Sequence, residues 1–193
     1  MAKLAVFASG GGTNFQAIAE ALRSTPHTLA CLIADKKDAY ALTRAEKLGV
    51  ASHIISYAGK SREAAEEEML AILAPQKIDY IALAGFMRLL TPRLIDAYPS
   101  RIINIHPALL PKYPGAHGIR ESYDSGDREL GITIHYVDYG LDSGPIILQQ
   151  SFTRNGTESI EEIESRIHEL EHTWYPKVMI GLLDAVRPEK FKS

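Results

Sequence analysis

The chain has 193 residues, 46% apolar, 23% charged and 8% aromatic, the profile of a compact globular protein and not of a disordered, collagen-like or coiled-coil chain. Lys plus Arg number 21 and Asp plus Glu 24, a net charge of −3 with no basic block. Bulk nucleic-acid binding therefore has no electrostatic support, although a small anion can still bind locally. At this length folding buries roughly 70% of the surface of the unfolded chain, so a single domain over 1–193 requires neither disulfides nor a structural metal. The one cysteine, Cys31, lies in the apolar run LACLIA and reads as a small buried hydrophobe, in keeping with a reducing cytoplasm. No segment approaches the roughly 20 apolar residues of a membrane span, and the N-terminus is too short in apolar residues for a signal-peptide core.

In chain order, LAVFA at 4–8 predicts a strand, followed by glycines 10, 11 and 12. Thr13 with Gln16 forms a capping-box pattern for a helix that carries Phe15, Ile18, Ala19 and Leu22 on one face and ends before Pro26. TLACLIA at 28–34 is a second strand, and Asp38 caps a helix with apolar Leu42, Ala45 and Leu48, stopped by Gly49. SHIIS at 52–56 is a third strand, and Ser61 caps a helix that runs to Leu73 and closes at Pro75. DYIALAG at 79–85 is a fourth strand, Thr91-Pro92 opens a fourth helix, and RIINIH at 101–106 is a fifth strand. This alternation predicts an α/β, doubly wound, mostly parallel sheet, with residues 1–106 as a nucleotide-fold half that binds phosphate. After Pro107 the pattern changes to a proline- and glycine-rich loop up to Gly118 and a short helix to about Ser125. ITIHYVD at 132–138 and PIILQQSFT at 145–153 follow, their connection Tyr139–Gly144 short enough for an antiparallel pair at the sheet edge. Ser159 with Glu162 caps a last helix reaching toward Val186, so that 107–193 completes the site.

Three patterns carry chemistry. ASGGGTNFQAI places glycines at a helix N-terminus, where unpaired N–H groups and the helix dipole make a phosphate seat. It matches neither common nucleotide fingerprint: no Lys-Ser/Thr follows the glycines, and Phe15 stands where a third glycine belongs. A tight turn without ligand is the other reading, and Asp35, at the end of the second strand, is placed to hold a ribose in a dinucleotide fold. In RIINIHP, Asn104 and His106 share one strand face at the carboxyl end of a parallel strand, where α/β sheets bind ligands. Asn offers a neutral donor for an oxyanion and His a proton near neutral pH. GITIHYVDYGLDSG adds Thr133 and His135 on one face and Asp142 in a glycine-flanked loop that can reach His106; a solvated turn aspartate is the bland alternative. Finally, HELEH at 168–172 formally matches a zinc-hydrolase helix, H-E-x-x-H, but lacks a third ligand, Glu189 some way downstream lying in the charged tail.

Taken together, ASGGGTNFQAI, LAGFMRLL, INIHPALLPKYPGAHG, GLDSGPIILQ and LEHTWYP, in this order over nearly the whole chain, resemble the glycinamide ribonucleotide formyltransferases, a folate-dependent formyltransferase family of purine biosynthesis. The resemblance implies a Rossmann-like fold and metal-free formyl transfer from 10-formyltetrahydrofolate to the amine of glycinamide ribonucleotide. It implies Asn104, His106 and Asp142 as the catalytic group, and Gly12, Thr13 and Asn14 as the phosphate cradle. Glu171 would contact the glycinamide portion. Folate would lie against Met87, Arg88, Leu89 and Leu90 and the loop Asp138, Tyr139, Gly140, Leu141 and Asp142, with Arg62 near it. Two positions depart from the family pattern: the DYGLD loop is less acidic at Tyr139 and Gly140, and His168 stands where some relatives have glutamine, beside the phosphate end of the substrate. The implied partners are small molecules only, the location cytoplasmic and the assembly a monomer or homodimer. The nearest rivals are formyltransferases acting on methionyl-tRNA, hydrolases using water as acceptor, and, outside that chemistry, a phosphate-binding module or a zinc hydrolase.

Overall fold

The computed structural model describes residues 1–186. Seven strands form one sheet: β1 (Lys3–Ala8), β2 (Thr28–Ala34), β3 (Ser52–Ile54), β4 (Tyr80–Leu83), β5 (Ile102–His106), β6 (Glu129–Tyr136) and β7 (Ile146–Thr153). Their order is β3-β2-β1-β4-β5-β6-β7; β1 to β5 are parallel, and β6 runs antiparallel to both its neighbours. Six helices flank the sheet: α1 (Thr13–Leu22), α2 (Tyr40–Leu48), α3 (Arg62–Leu73), α4 (Pro92–Ala97), α5 (Gly118–Asp124) and α6 (Ile160–Asp184). The doubly wound α/β architecture expected from the alternating apolar runs is therefore present.

Strand alternation divides the core in two. On one face Leu4, Val6, Leu32, Ala82, Ile103, Ile132 and Ile134 pack with Phe15 and Ile18 of α1 and Ile163, Ile167 and Met179 of α6. On the other, Phe7, Cys31, Ile33, Ile81, Leu83 and Ile102 pack with Met69 and Leu73 of α3 and Leu94 of α4. Complete burial of such side chains stabilises by roughly 1.5–3 kcal/mol each. Tyr175 of α6 adds a polar strut: its fully buried hydroxyl donates to the carbonyls of Leu83 at 3.1 Å and Ile103 at 2.9 Å, tying α6 to the ends of β4 and β5.

Helix starts follow the sequence in part. Ser61 accepts from Ala64 N, Thr91 accepts from Arg93 N, and Ser159 with Glu162 completes a full capping box. Two expected caps are corrected. Thr13 is the first helical residue and not a cap; Gly12 occupies that place in a left-handed conformation, and Gln16 instead bonds Glu20 and Arg44. Asp38 is likewise replaced as cap by Ala39, which gives no side-chain bond. Both helices start at turns set by a tertiary contact, Ala41 N donating to Gly10 O at 3.0 Å, where packing overrides local capping chemistry. The strands at 52–56 and 79–85 are shorter than their apolar runs, and the sixth begins at Glu129, earlier than the run at 132–138 suggests.

Candidate active site

Chain direction reverses its winding between β1 and β4, and the crevice at their carboxyl ends is where such sheets bind ligands. Ser9 closes that crevice: its N–H donates to Gly85 O at 3.1 Å and its hydroxyl accepts from Met87 N at 2.8 Å. The glycine loop and the segment 85–90 thus open side by side.

At the first end, Gly12 has φ 73°, and a Cβ there would stand 2.6 Å from Ala41 Cβ, so only glycine permits the close approach of α2. The loop carbonyl of Gly11 accepts from Arg44 Nε at 2.8 Å, and the first main-chain N–H groups of α1 have no partner within the helix. Asn14, almost fully buried, donates through Nδ2 to Glu171 Oε2 at 2.9 Å, while its Oδ1 is buried with no partner in the protein. Such an orphaned acceptor points to a ligand donor. His168 Nδ1 meets the same Glu171 oxygen at 2.9 Å, and this hydrogen bond raises the His168 pKa above the ordinary histidine value. His172 is instead lowered by burial. Its ring stacks on His168 with centroids 6.1 Å apart. The first imidazole of HELEH is thus engaged with a carboxylate of its own helix, and Glu189 lies outside the described residues. Among the described residues no three His, Cys, Asp or Glu side chains form a metal-holding group.

At the second end, β5 and β6 pair so that Asn104 faces His135 and His106 faces Thr133. All four lie on the sheet face that carries α3 and α4, and Asn104, His106 and His135 line a cavity of about 220 Å³. The 138–144 loop carries Asp142 into it, with Asp142 held at φ 50°, a left-handed conformation that a non-glycine residue keeps only under tertiary constraint. Its carboxylate lies 3.5 Å from His106 Nδ1 and 3.4 Å from Asn104 Nδ2, and accepts from Gly115 N at 2.7 Å. His106 Nε2 faces the Tyr113 carbonyl at 2.7 Å. Both ring nitrogens therefore face oxygen acceptors, an environment that an imidazolium satisfies completely.

His135 is a neighbour of opposite character. Burial pushes its pKa below the ordinary histidine range, against the pull of the Tyr136 carbonyl and Asp142. Its Nδ1–H donates to Tyr136 O at 2.9 Å, so neutral Nε2 accepts from Asn104 Nδ2 at 3.1 Å and fixes the orientation of that amide. Thr133 is a staple: its hydroxyl donates to Ala108 O at 2.7 Å and accepts from Leu110 N at 3.0 Å, holding the chain that follows His106.

Met87, Arg88, Leu89, Leu90, Asp138, Gly140 and Leu141 line the same cavity. Two expected residues stand apart from its walls: Arg62 is an exposed residue opening α3, and the Tyr139 hydroxyl is turned to Asp96. Asp35 binds Arg88 Nε through Oδ2 at 2.6 Å, with the guanidinium 4.9 Å above the Tyr57 ring, while its Oδ1 is buried with no partner in the protein. Strand periodicity places His135 on one face with Thr133 but gives it no role, and nothing in the spacing singles out Gly115 or Gly118. Gly118 lies against His106, where a Cβ would stand 2.9 Å from Nε2.

Residues 2–179 match the formyl transferase family. The chain is 43% identical over 190 residues to a phosphoribosylglycinamide formyltransferase of Bacillus subtilis, covering 95% of each chain. Against the Escherichia coli protein of the same name it is 39% identical over 184 residues, covering 94% of this chain and 87% of that one. A crystal structure of glycinamide ribonucleotide transformylase 1 from Geobacillus kaustophilus superposes with a TM-score of 0.90 at 46% identity, covering 95% of this chain and 99% of the other.

Proposed function

Because the chain belongs to the formyl transferase family, as a phosphoribosylglycinamide formyltransferase of de novo purine biosynthesis, we propose that its two half-sites bind the two substrates of that reaction, glycinamide ribonucleotide and 10-formyltetrahydrofolate. The ribonucleotide phosphate takes the N–H groups of Gly12, Thr13 and Asn14, with His168 beside it. Glu171 and the orphaned Asn14 Oδ1 accept from the N–H and O–H groups of the glycinamide riboside. The folate lies in the cavity against Met87, Leu89, Leu90 and Leu141, with its pterin read by backbone groups there and in the Asp138–Asp142 loop, Tyr139 and Gly140 included. Arg88, paired with Asp35, contributes to the wall, and Arg62, exposed at the start of α3, supplies positive charge toward the anionic tail of the folate.

One observation carries the mechanism: Asp142 lies within 3.5 Å of both His106 Nδ1 and Asn104 Nδ2 at the end of the cavity. The neutral substrate amine attacks the formyl carbon, and the resulting oxyanion takes one N–H of Asn104 and the Nδ1–H of His106. Asn104 already gives one N–H to His135. Its other, in the long 3.4 Å contact with Asp142, is the one surrendered to the oxyanion. Asp142 and the Tyr113 carbonyl face the two ring nitrogens of His106, and Asp142 carries a proton from the amine to the departing folate nitrogen, which completes the transfer. Water, methionyl-tRNA and a phosphate ligand alone are the competing partners. Incubation with 10-formyltetrahydrofolate and each acceptor in turn tests the assignment: rapid deformylation with glycinamide ribonucleotide alone is expected, and equal rates with water would refute it. In the same assay Asn104→Ala is expected to lower turnover by roughly two to three decades, the usual loss for an oxyanion donor. A fall of less than about tenfold removes that role.

A further inference from the structure

Beyond the reacting groups lies a contact that the mechanism above does not use. Tyr113 has φ 57°, a left-handed conformation that an L residue keeps only where its surroundings hold it. It is held at both ends. Its carbonyl accepts the His106 Nε2–H at 2.7 Å, and its phenol hydroxyl donates to Asp127 Oδ2 at 2.7 Å. The same Asp127 oxygen accepts from Lys112 Nζ at 2.7 Å. These two bonds hold the Asp127 carboxyl below the ordinary aspartate range, so it is an ionised acceptor throughout neutral pH. Two residues beyond Tyr113, Gly115 N–H reaches Asp142 at 2.7 Å. One short segment therefore touches both members of the histidine–carboxylate pair, and its anchor is a carboxylate outside the cavity.

We propose that Asp127 is a positioning residue for formyl transfer: by anchoring the Tyr113 hydroxyl it holds the Tyr113 carbonyl on His106 Nε2, which aims Nδ1 at Asp142 and the formyl oxygen. The inference rests on the reading of His106 as the proton-bearing group. A ring with one N–H bound to a fixed carbonyl has its tautomer and its χ2 angle set together. Released from Asp127, Tyr113 relaxes toward an unstrained φ, the carbonyl withdraws, and the imidazole turns about a broad torsional minimum. Gly115 moves with it, so Asp142 loses a fixed donor in the same step. Displacements of this kind cost turnover and leave substrate affinity little changed, because the groups that bind the phosphate and the pterin are elsewhere.

The test compares Asp127→Ala, Asp127→Asn and Tyr113→Phe in the full chain, with His106→Asn as reference. Asp127→Ala and Tyr113→Phe are expected to lower kcat about tenfold, with KM for both substrates within about twofold. Asp127→Asn keeps an oxygen acceptor and is expected to restore most of the turnover. In protein labelled with ¹⁵N at histidine, the His106 Nε2 proton is expected as a slowly exchanging resonance in the parent and in Asp127→Asn, and as an exchange-broadened one in the other two. Asp127→Ala that keeps kcat and the ring proton, with or without a lower Tm, overturns the proposal while His106→Asn remains inactive. A His106→Asn variant with parental turnover would instead remove the mechanistic reading, and the proposal with it.

Discussion

The site contains two histidine–carboxylate pairs built in opposite ways. His168 and Glu171 stand one turn apart on α6, joined at 2.9 Å, with the histidine side chain half-exposed. His106 and Asp142 come from different elements, are 3.5 Å apart and are both largely buried, at 3% and 12% exposure. His135, equally buried and 3.7 Å from the same Asp142, behaves differently again: desolvation outweighs the carboxylate, and the ring is a neutral acceptor for Asn104. A nearby carboxylate thus does not by itself decide the state of a histidine. At the rim a direct hydrogen bond governs, and inside the sheet burial competes with it. On the proposed function, the local pair serves a binding task that needs only a charge near a phosphate, whereas the buried pair holds reacting atoms to a geometry set by three segments.

If that division is right, removing charge from the two carboxylates has different consequences. Asp142→Asn preserves shape but withdraws the base, and kcat is expected to fall about a hundredfold or more, the usual range for a positioned proton-transfer group. Steady-state kinetics at saturating substrates would measure it, and a loss under tenfold would make the buried pair no more than a binding contact. Gly118→Ala comes next. Its Cβ would press on His106 Nε2 at 2.9 Å, so a loss of about tenfold in kcat is expected with KM for the ribonucleotide unchanged. Overpacking of this kind typically also costs about 1–3 kcal/mol of stability, which a denaturant titration reads separately. Glu171→Gln should act in the opposite sense: KM for glycinamide ribonucleotide rises about tenfold, as for a lost charged hydrogen bond, and kcat changes less than about threefold. An equal loss of kcat in Glu171→Gln and Asp142→Asn would erase the distinction between the ends.

The same contrast explains what the sequence made legible. β2 coincides with the run TLACLIA, because a strand buried on both faces is apolar throughout and its limits are visible as composition. Ser61, Thr91 and the Ser159–Glu162 box were readable for the same local reason. Thr13 and Asp38 misled, because the turn at Gly12 is shaped by its contact with Ala41 across two helices. Asn104 and His106 were placed on one face by strand periodicity alone. The partnership with His135 depends on antiparallel register between β5 and β6, and Asp35 was claimed by Arg88 from a distant loop. Long-range pairing of this sort leaves no periodic trace in the chain.

The smallest effect is a pH dependence at the rim. Its hydrogen bond to Glu171 raises the His168 pKa, so the imidazolium persists above the ordinary histidine value near 6.5. Nδ1–H is spent on Glu171, and the proton gained on Nε2 is the one that adds charge toward the phosphate. Affinity for the ribonucleotide is therefore greatest at low pH and falls as pH rises through the raised pKa. The same sign holds for stability: the contribution of the pair is complete below the unfolded value and is lost as pH rises through the folded one. His172 bears on this region as well, but it is shifted downward by burial, opposite to His168, and Arg44 also faces it as a coulombic neighbour. Because the substrate phosphate itself titrates near pH 6, the informative quantity is the difference between the parent and His168→Gln. The parent should lose about two- to fivefold more affinity than His168→Gln between pH 6 and 8.5, the modest effect of one half-exposed charge. Parallel profiles for the two proteins would mean that His168 holds Glu171 in place and contributes no charge to the phosphate.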